Sequence, residues 1–213
     1  MFGIRLASGL AALAAYVTAE EGYHRMDQVM NKWGYTYDVY YVSTGDGFIL
    51  NTFRITGNSD GRFTPTKPPV LIQHGDYGDG AGWLRYYPVG KPMHLQLADD
   101  GYDIWIGNNR GTNYSQRRTD GLTPEDKDFW DWSWSEMGLL DDKANIEAIK
   151  AQTGAEKIFY LGYSQGTVQM FYALAHDDDW FSENLYKFLA FAPCTTCPAD
   201  GTENYWLGNL YKF

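Results

Sequence analysis

Short apolar runs alternate along the chain with longer mixed stretches. Three of these runs, residues 70–72, 104–106 and 158–161, are continuous in apolar residues and are bounded by turn-forming residues. Such runs are typical of strands that are buried on both faces of a parallel sheet. A fourth run, residues 189–192, has the same character. The pattern therefore predicts four buried strands of one parallel sheet.

A helical pattern lies between the second and third of these runs. Leu139, Ile146 and Ile149 fall on one helical stripe, and the helix is expected to end near Gly154. The polar residues of this segment are expected off that stripe: Asp141, Asp142, Lys143, Asn145, Glu147 and Lys150. A second helical stretch is expected over residues 167–176. Because strands alternate with helices, the chain is expected to form an α/β fold.

A β-hairpin is expected before the first buried strand. Residues 37–42 and 48–55 are β-prone and flank the turn-forming cluster Thr44-Gly45-Asp46-Gly47. No internal repeat, low-complexity tract or Pro/Gly-rich linker divides the chain. Since a domain takes roughly 150 residues, the 213 residues are expected to hold a single domain, which we place at residues 20–213.

The first residues have the order of a secretory signal peptide. Arg5 precedes an apolar run over residues 6–17, and Val17-Thr18-Ala19 provides small residues for cleavage. The run is shorter than the ~20 residues that span a bilayer, so residues 1–19 are expected to be removed rather than to anchor the mature protein. An ordinary buried N-terminal helix is the alternative. Asn113-Tyr114-Ser115 has the form of a glycosylation acceptor, which fits a secretory route.

The charge balance excludes some classes of partner. The chain carries 17 Lys and Arg against 27 Asp and Glu, so its net charge is −10, and this charge repels phosphate backbones and anionic membranes. A nucleic-acid partner is therefore not expected. Hydrophobic residues make up 44% and charged residues 21% of the chain, which is close to the globular average and excludes disordered, collagen-like and coiled-coil proteins.

A motif for nucleophilic catalysis follows the third apolar run. Gly162-Tyr163-Ser164-Gln165-Gly166 lies between a predicted strand and a predicted helix, which is the setting of a G-x-S-x-G nucleophile elbow. A serine on so sharp a turn needs neighbours without Cβ atoms, and the helix that follows directs its N–H groups towards charge that develops on a substrate. Ser164 is therefore the candidate nucleophile. A glycine-bounded turn with an incidental serine is the alternative.

A second loop has the composition of an oxyanion hole. His74-Gly75-Asp76 follows the buried strand and enters the glycine-rich segment 77–82, where hydrolases with such an elbow place one oxyanion donor. Two backbone N–H groups are needed to stabilise a tetrahedral oxyanion, and those of Asp76 and Gln165 are the candidates. His74 is expected to shape this loop through hydrogen bonds rather than to act as the base. A phosphate-binding loop is excluded because no Gly-Lys-Ser/Thr follows.

The succession of these motifs resembles the acid lipase family of α/β-hydrolases, the group that contains the gastric and lysosomal acid lipases. The resemblance covers nearly all of residues 20–213 and rests on segments in the family's order: Trp33-Gly34-Tyr35, residues 44–50, Gln73-His74-Gly75, residues 101–111, Phe129-Trp130, Glu136-Met137, Asp141, residues 162–166 and residues 189–193. It implies an α/β-hydrolase fold with a mostly parallel sheet flanked by helices.

The same resemblance implies an activity and a location. It implies a secreted or lysosomal lipase or esterase that hydrolyses triacylglycerols or steryl esters at a lipid–water interface. Ser164 would be the nucleophile, and the backbone N–H groups of Gln165 and Asp76 would form the oxyanion hole. Neither a cofactor nor a metal ion is implied.

Two departures from the family's pattern change this picture. Asp76 stands where these lipases usually carry an apolar residue, and an ionised side chain turned inward would oppose the oxyanion. The family's order is Ser, then Asp, then His, and the only histidine after Ser164 is His176, ~18 Å along the same helical stretch. The catalytic Asp and His are therefore expected to be absent from this chain, which we interpret as a fragment of a longer enzyme. A non-catalytic protein that binds lipid or a partner is the alternative.

The two cysteines, Cys194 and Cys197, have no predicted catalytic role. They are too few for a disulfide framework, and a pair of ligands does not make a structural zinc site, which needs four. A local disulfide and free or differently paired thiols are both compatible with the sequence.

Overall fold

A computed structural model describes residues 24–85 and 90–195 of the chain. Its strands are β1 (Tyr35–Ser43), β2 (Phe48–Asn58), β3 (Gly61–Arg62), β4 (Lys67–Gln73), β5 (Tyr102–Ile106), β6 (Arg117–Arg118), β7 (Ile158–Tyr163) and β8 (Leu185–Phe191). They form one sheet in the order β1-β2-β5-β4-β7-β8, and β3 and β6 pair with β2. The expected signal peptide, residues 1–19, and Cys197 lie outside the described residues.

The half of the sheet that runs from β5 to β8 is parallel. β4 pairs in parallel with both β5 and β7, and β7 pairs in parallel with β8. Leu71, Ile72 and Ile104 have no exposed surface, because helices cover both faces of these strands. The prediction of a mostly parallel sheet is therefore confirmed. The last strand begins and ends earlier than its apolar run, so that Ala192 lies beyond it. The expectation that this run is buried is wrong, since Leu189 and Phe191 are 40% and 41% exposed, because β8 is the edge strand of the sheet in the described part of the chain.

The expected hairpin forms the other half of the sheet. β1 and β2 pair in an antiparallel register from Tyr35 opposite Asn58 to Ser43 opposite Ile49. In the turn, the hydroxyl oxygen of Thr44 accepts the N–H of Phe48 at 2.9 Å. β2 then pairs antiparallel with β5, and this pairing joins the hairpin to the parallel strands.

Helices cover the two faces of the sheet. The helices are α1 (His24–Trp33), α2 (Gly80–Arg85), α3 (Met93–Asp99), α4 (Trp134–Glu136), α5 (Lys143–Thr153), α6 (Gln165–His176) and α7 (Asp178–Asn184). Alternate residues of β4 separate the two apolar clusters: Val70 and Ile72 pack with Leu95 of α3, whereas Leu71 packs with Met170 of α6. In the described part of the chain, no helix is long and apolar enough to cross a membrane.

The segment around α5 agrees only in part with its sequence pattern. The helix ends as expected at Gly154, which adopts the left-handed conformation with φ 72°. A π-helical turn, Met137–Asp142, precedes it. Asp141, Asp142 and Asn145 are buried, so the expectation that they lie off the buried stripe is wrong. Each of them bonds to a polar group on a distant segment, and a hydrophobic pattern does not register such partners.

The acidic residues after α6 are another correction. The sequence pattern alone predicts a solvated loop at Asp177, Asp178 and Asp179. Asp178 and Asp179 are indeed exposed, but they form the first turn of α7. Carboxylates are favoured there because the N-terminus of a helix carries partial positive charge.

Candidate active site

The turn that carries Ser164 has the geometry of a nucleophile elbow. β7 ends at Tyr163 and α6 begins at Gln165, so Ser164 alone joins the strand to the helix. Its backbone has φ 50° and ψ −113°, and residues with a side chain rarely adopt a positive φ. Such strain costs of order 1–3 kcal/mol and is concentrated at functional sites. This is the turn that the G-x-S-x-G motif predicts.

Close backbone contacts require the two glycines of the motif. A Cβ atom on Gly162 would lie 2.4 Å from the carbonyl oxygen of Gly166. A Cβ atom on Gly166 would lie 2.7 Å from the carbonyl oxygen of Gln73 and 2.8 Å from that of His74. Any side chain at either position would therefore force the backbone apart. The same contacts show that the elbow is pressed against the end of β4.

Hydrogen bonds hold the strained residue on both sides. The N–H of Ser164 donates to the carbonyl of Phe191, at the end of β8, at 3.0 Å. The carbonyl of Ser164 accepts the N–H of Thr167 at 2.8 Å and the hydroxyl of Thr167 at 2.6 Å. That hydroxyl oxygen accepts the N–H of Cys194 at 3.1 Å. The segment that follows β8 therefore helps to fix the elbow.

The loop after β4 lies beside the nucleophile. A Cβ atom on Gly75 would lie 3.0 Å from the Cβ of Ser164, so the backbone at this point is in contact range of the serine. Asp76 comes next, and its carboxylate accepts the N–H of Tyr77 at 2.9 Å. Tyr77 has φ 53° and is 77% exposed. The Asp76 carboxylate thus binds within its own loop, and the backbone of Asp76 follows directly on the residue that meets Ser164.

A cleft of about 300 Å³ opens next to this loop. Gly75 and Gln165 form part of its wall, and Trp132 and Met137 add apolar surface. Ser164 adjoins Gly75 in space and Gln165 in sequence without lining the cleft itself. Most of the other lining side chains are polar or charged, among them Arg25, Asp79 and Asn109.

His74 holds the loop with both of its ring nitrogens. Nε2 accepts the N–H of Asn109 at 3.2 Å, which assigns the ring proton to Nδ1, and Nδ1 donates to the carbonyl of Gly75 at 2.7 Å. Burial lowers the pKa of His74, so the ring is kept neutral. With both nitrogens engaged, His74 has no lone pair to take a proton from Ser164. This agrees with the expected role of His74 in shaping the loop.

His176 lies at the far end of α6. It is the last residue of a helix whose first residue follows Ser164. Its Nδ1 donates to the carbonyl of Tyr172 at 2.8 Å, and its ring stacks on the Tyr172 ring with 3.8 Å between centroids. The imidazole of His176 lies ~18 Å along the helix from Ser164, which is too far for it to take the proton of the Ser164 hydroxyl. Among the residues that the structure describes, no cluster of His, Cys, Asp and Glu could hold a metal ion.

A buried polar network, which the sequence analysis did not predict, lies behind the elbow. The side-chain amide of Gln73 donates to Asn109 Oδ1 at 2.7 Å, and Asn109 Nδ2 donates to Gln169 Oε1 at 2.9 Å. Gln169 Nε2 donates to Asp142 Oδ1 at 2.8 Å, and the Tyr160 hydroxyl lies 3.1 Å from Asp142 Oδ2. All five side chains are at most 2% exposed. One residue could have indicated this network from the sequence: Gln169, a polar residue on the buried side of α6.

Arg110 is a buried cation that connects three segments around the site. Its guanidinium donates to Asp141 at 2.7 and 2.9 Å and to Asp46 at 2.6 and 3.0 Å. It also lies over the Phe48 ring, 4.4 Å from the centroid. Two carboxylates compensate the burial of this charge. The loop after β5 is thereby tied to the hairpin turn and to the π-helical turn.

Comparisons with known proteins agree with this geometry. Residues 68–182, more than half of the chain, match the family model described as alpha/beta hydrolase fold. Residues 26–86 match the model described as a partial alpha/beta-hydrolase lipase region. Solved structures with a similar fold include an esterase of Pyrococcus furiosus, with a TM-score of 0.54, 15% identity, and coverage of 95% of this chain and 68% of that one. The expected fold is therefore confirmed.

Several curated proteins similar to this chain are named lipases. Lipase lipl-5 of Caenorhabditis elegans is 39% identical over 168 residues, which are 78% of this chain and 41% of that protein. Lipase member K of Mus musculus is 35% identical over 181 residues, or 84% and 45% of the two chains. Gastric triacylglycerol lipase of Bos taurus is 34% identical over 172 residues, or 80% and 43%. The chain thus spans less than half the length of these relatives, and the expected resemblance to lipases is confirmed. The chain belongs to the α/β-hydrolase family.

Proposed function

We propose that this chain is the nucleophile-bearing part of a serine lipase or esterase, and that its substrates are neutral lipid esters such as triacylglycerols or steryl esters. The observation that carries the proposal is the strained backbone of Ser164 at the start of α6, with the loop at Gly75 in contact range. The similar proteins named lipases support the substrate class, and one of them is named for triacylglycerol.

In the proposed reaction, Ser164 Oγ attacks the acyl carbonyl carbon while a base takes the hydroxyl proton. The tetrahedral oxyanion accepts hydrogen bonds from the backbone N–H groups of Gln165 and Asp76. When this intermediate collapses, the C–O bond to the alcohol breaks and the base returns the proton to the alcohol. Water, deprotonated by the same base, then attacks the acyl carbon of the ester on Ser164. When this second intermediate collapses, the bond to Ser164 Oγ breaks, the base returns the proton to Oγ, and the fatty acid leaves.

We propose that the base and the acid that orients it come from polypeptide outside the described residues. His74 is engaged at both nitrogens, and His176 lies at the far end of α6. Lipases that are similar to this chain extend over more than twice the matched length. We therefore assign the catalytic Asp and His to that additional polypeptide. The proposed reaction needs neither a cofactor nor a metal ion.

We also propose a secreted or lysosomal location, where the protein would meet its substrate at a lipid–water interface. The signal-peptide pattern over residues 1–19 and the acceptor triplet at Asn113 support a secretory route. Asn113 is exposed, as a glycosylated residue must be. A net charge of −10 opposes binding to nucleic acid.

A complementation assay tests the activity. Residues 20–213, alone and together with the C-terminal half of a similar lipase, are assayed with an activated short-chain ester. Ser164→Ala is compared with the wild type, and Ser182→Ala, which changes an exposed serine of α7, is the matched control. We expect no Ser164-dependent turnover from the chain alone, because the hydroxyl lacks its base. We expect complementation to restore turnover, which Ser164→Ala abolishes and Ser182→Ala preserves.

Three outcomes would each contradict part of the proposal. Turnover that is unaffected by Ser164→Ala would remove Ser164 from the mechanism. A complemented protein that is folded by circular dichroism and binds lipid vesicles without hydrolysing any ester would favour the non-catalytic alternative. Strong Ser164-dependent turnover from the chain alone would instead show that a base lies within it.

A further inference from the structure

Asp142 is a buried carboxyl group whose described partners are uncharged. Gln169 Nε2 donates to its Oδ1 at 2.8 Å, and the Tyr160 hydroxyl lies 3.1 Å from its Oδ2. The charged group that acts on it is the neighbouring Asp141, which has the same sign. The nearby cation, Arg110, bonds to Asp141 and Asp46 instead. An ionised carboxylate at Asp142 would therefore lack a compensating charge, which is costly in a protein interior.

The hydrogen bonds of Tyr160 indicate the same protonation state. Its hydroxyl lies 3.0 Å from the carbonyl oxygen of Gly166 as well as 3.1 Å from Asp142 Oδ2. A hydroxyl has one proton, and an ionised carboxylate and a carbonyl only accept. If Asp142 is ionised, one of these two acceptors goes without a full hydrogen bond. If Asp142 is protonated, it donates to the Tyr160 oxygen, and Tyr160 donates to Gly166.

This chain of hydrogen bonds ends at the base of the elbow. Gly166 lies two residues after Ser164, and its carbonyl oxygen is the atom that a Cβ on Gly162 would meet. The network continues in the other direction through Gln169 and Asn109 to the loop after β4. It therefore connects the turn that carries Ser164 with the loop that is expected to provide an oxyanion donor.

We propose that Asp142 is a positioning residue that acts as a neutral carboxylic acid: it donates to the Tyr160 hydroxyl, which then holds the Gly166 carbonyl and the turn that carries Ser164. The proposal deepens the proposed function, because it rests on Ser164 as the nucleophile. Burial raises the pKa of Asp142 well above its usual value, and it raises the pKa of Tyr160 as well. Both directions agree with a neutral pair.

The protonation state has a consequence for stability. An unfolded aspartate titrates near ~3.9, below the raised pKa of Asp142 in the folded protein. Between these two pKa values the folded chain keeps a proton that the unfolded chain has lost. The stability that this proton provides is complete below the unfolded pKa and is lost as pH rises through the folded pKa. Within that window the unfolding constant increases up to about tenfold per pH unit.

Three variants of the full chain and one control test the proposal. Asp142→Asn keeps a donor for Tyr160 and an acceptor for Gln169 without a titrating group, Asp142→Leu removes both, and Tyr160→Phe removes the hydroxyl. Asp141→Asn is the control, because it neutralises the adjacent buried carboxylate that pairs with Arg110. The readouts are the carboxylic-acid band in isotope-edited infrared spectra, urea unfolding from pH 4 to 8, and the NMR signals of the Ser164 to Gly166 amides.

Burial raises the pKa of Asp141 to about 6, so both carboxyl groups contribute to the acid band at pH 6. We expect Asp141→Asn to retain the band of Asp142 and Asp142→Asn to remove it. Because His94 and Asp141 titrate in the same pH range, the contribution of Asp142 is read from the ratio of the unfolding constants of the wild type and Asp142→Asn. That ratio should change with pH by up to about tenfold per pH unit within the window, and Asp142→Asn should leave the elbow amide signals in place. Asp142→Leu and Tyr160→Phe should both shift those signals. An ionised Asp142 at pH 6, a pH dependence that Asp142→Asn leaves intact, or unshifted amides in Tyr160→Phe would each overturn the proposal.

These readouts separate the proposal from the proposed function, since none of them requires ester hydrolysis. In the complemented enzyme, Tyr160→Phe should lower kcat at least tenfold with little change in KM, and Asp142→Asn should stay within about twofold of the wild type. If the amide shifts appear but Ser164→Ala leaves turnover unchanged, the proposed function fails and the positioning role of Asp142 in the turn stands. Equal kcat values for Tyr160→Phe and the wild type would overturn the positioning role.

Discussion

Replacement of Gly166 by alanine should push the elbow away from the end of β4. The added Cβ would lie 2.7 Å from the carbonyl oxygen of Gln73 and 2.8 Å from that of His74. Ordinary Cβ contacts begin at about 3.4 Å, so the two segments must separate by roughly 0.6 to 0.7 Å. Both obstructing atoms belong to the backbone, which cannot rotate out of the way as a flexible side chain can.

The expected cost follows from this overlap. Overpacking of a tight interior typically costs about 1–3 kcal/mol, and one or two kcal/mol already changes the folded-to-unfolded ratio by a factor of about 5–30. The intrinsic effect has the opposite sign, since alanine is better than glycine by ~1 kcal/mol in a helix interior. Destabilisation at Gly166 would therefore come from the contact. Gly45→Ala is the matched control, because its Cβ would meet no heavy atom within 4 Å.

Urea denaturation, followed by tryptophan fluorescence and circular dichroism, measures both variants. Gly166→Ala should lower the free energy of unfolding by about 1–3 kcal/mol, and Gly45→Ala should stay within about 0.5 kcal/mol of the wild type. In the complemented enzyme, Gly166→Ala should also reduce turnover, since the oxyanion donors no longer converge. A Gly166→Ala protein as stable as the wild type would refute the close approach of the elbow to β4.

Three further predictions concern charge and processing. Arg110→Met should lower the free energy of unfolding by about 3–5 kcal/mol, because it leaves the buried Asp141 carboxylate without its cation; an unchanged urea midpoint would contradict this. Burial lowers the pKa of His94 from 6.5 to about 3. The contribution of the neutral His94 ring to the free energy of unfolding should therefore be fully present above pH 6.5 and should fall by up to about 1.4 kcal/mol per pH unit towards pH 3. In urea denaturation, His94→Gln should reduce this loss of stability between pH 6.5 and 3. An unchanged loss would count against a neutral buried imidazole at His94. Mass spectrometry of protein from the growth medium or an endolysosomal fraction should find a chain that begins at Glu20, and an intact Met1 there would contradict cleavage.

Two adjacent carboxyl groups illustrate how the partner decides the charge. Asp141 receives three hydrogen bonds from Arg110, two from the guanidinium and one from the backbone N–H. Asp142 meets an amide and a hydroxyl. Both side chains are completely buried, so burial alone does not distinguish them. A guanidinium favours the ionised form, whereas neutral donors in a dry interior favour the acid.

The sequence by itself determined the elements that depend on local pattern. The apolar runs became β4, β5, β7 and β8, and the hairpin formed on both sides of its turn cluster, because apolar continuity and turn residues act over a few neighbouring positions. The same pattern did not reveal that β8 is mostly exposed. The sharp turn at Ser164 also depends on local pattern, since the glycines that permit it lie two residues away on each side. The order of motifs was enough to indicate the α/β-hydrolase family.

Only the tertiary structure decided which polar residues are buried and what they do there. Arg110 and Asp141 are 31 residues apart, Asn109 and Gln169 are 60 apart, and the partners Thr52 and Asn145 are 93 apart. A buried polar group is tolerated only where a partner satisfies it, and which groups meet depends on how strands and helices pack. Hydrophobic periodicity therefore placed Asp142 off the core, and the fold placed it beside Tyr160 under the elbow.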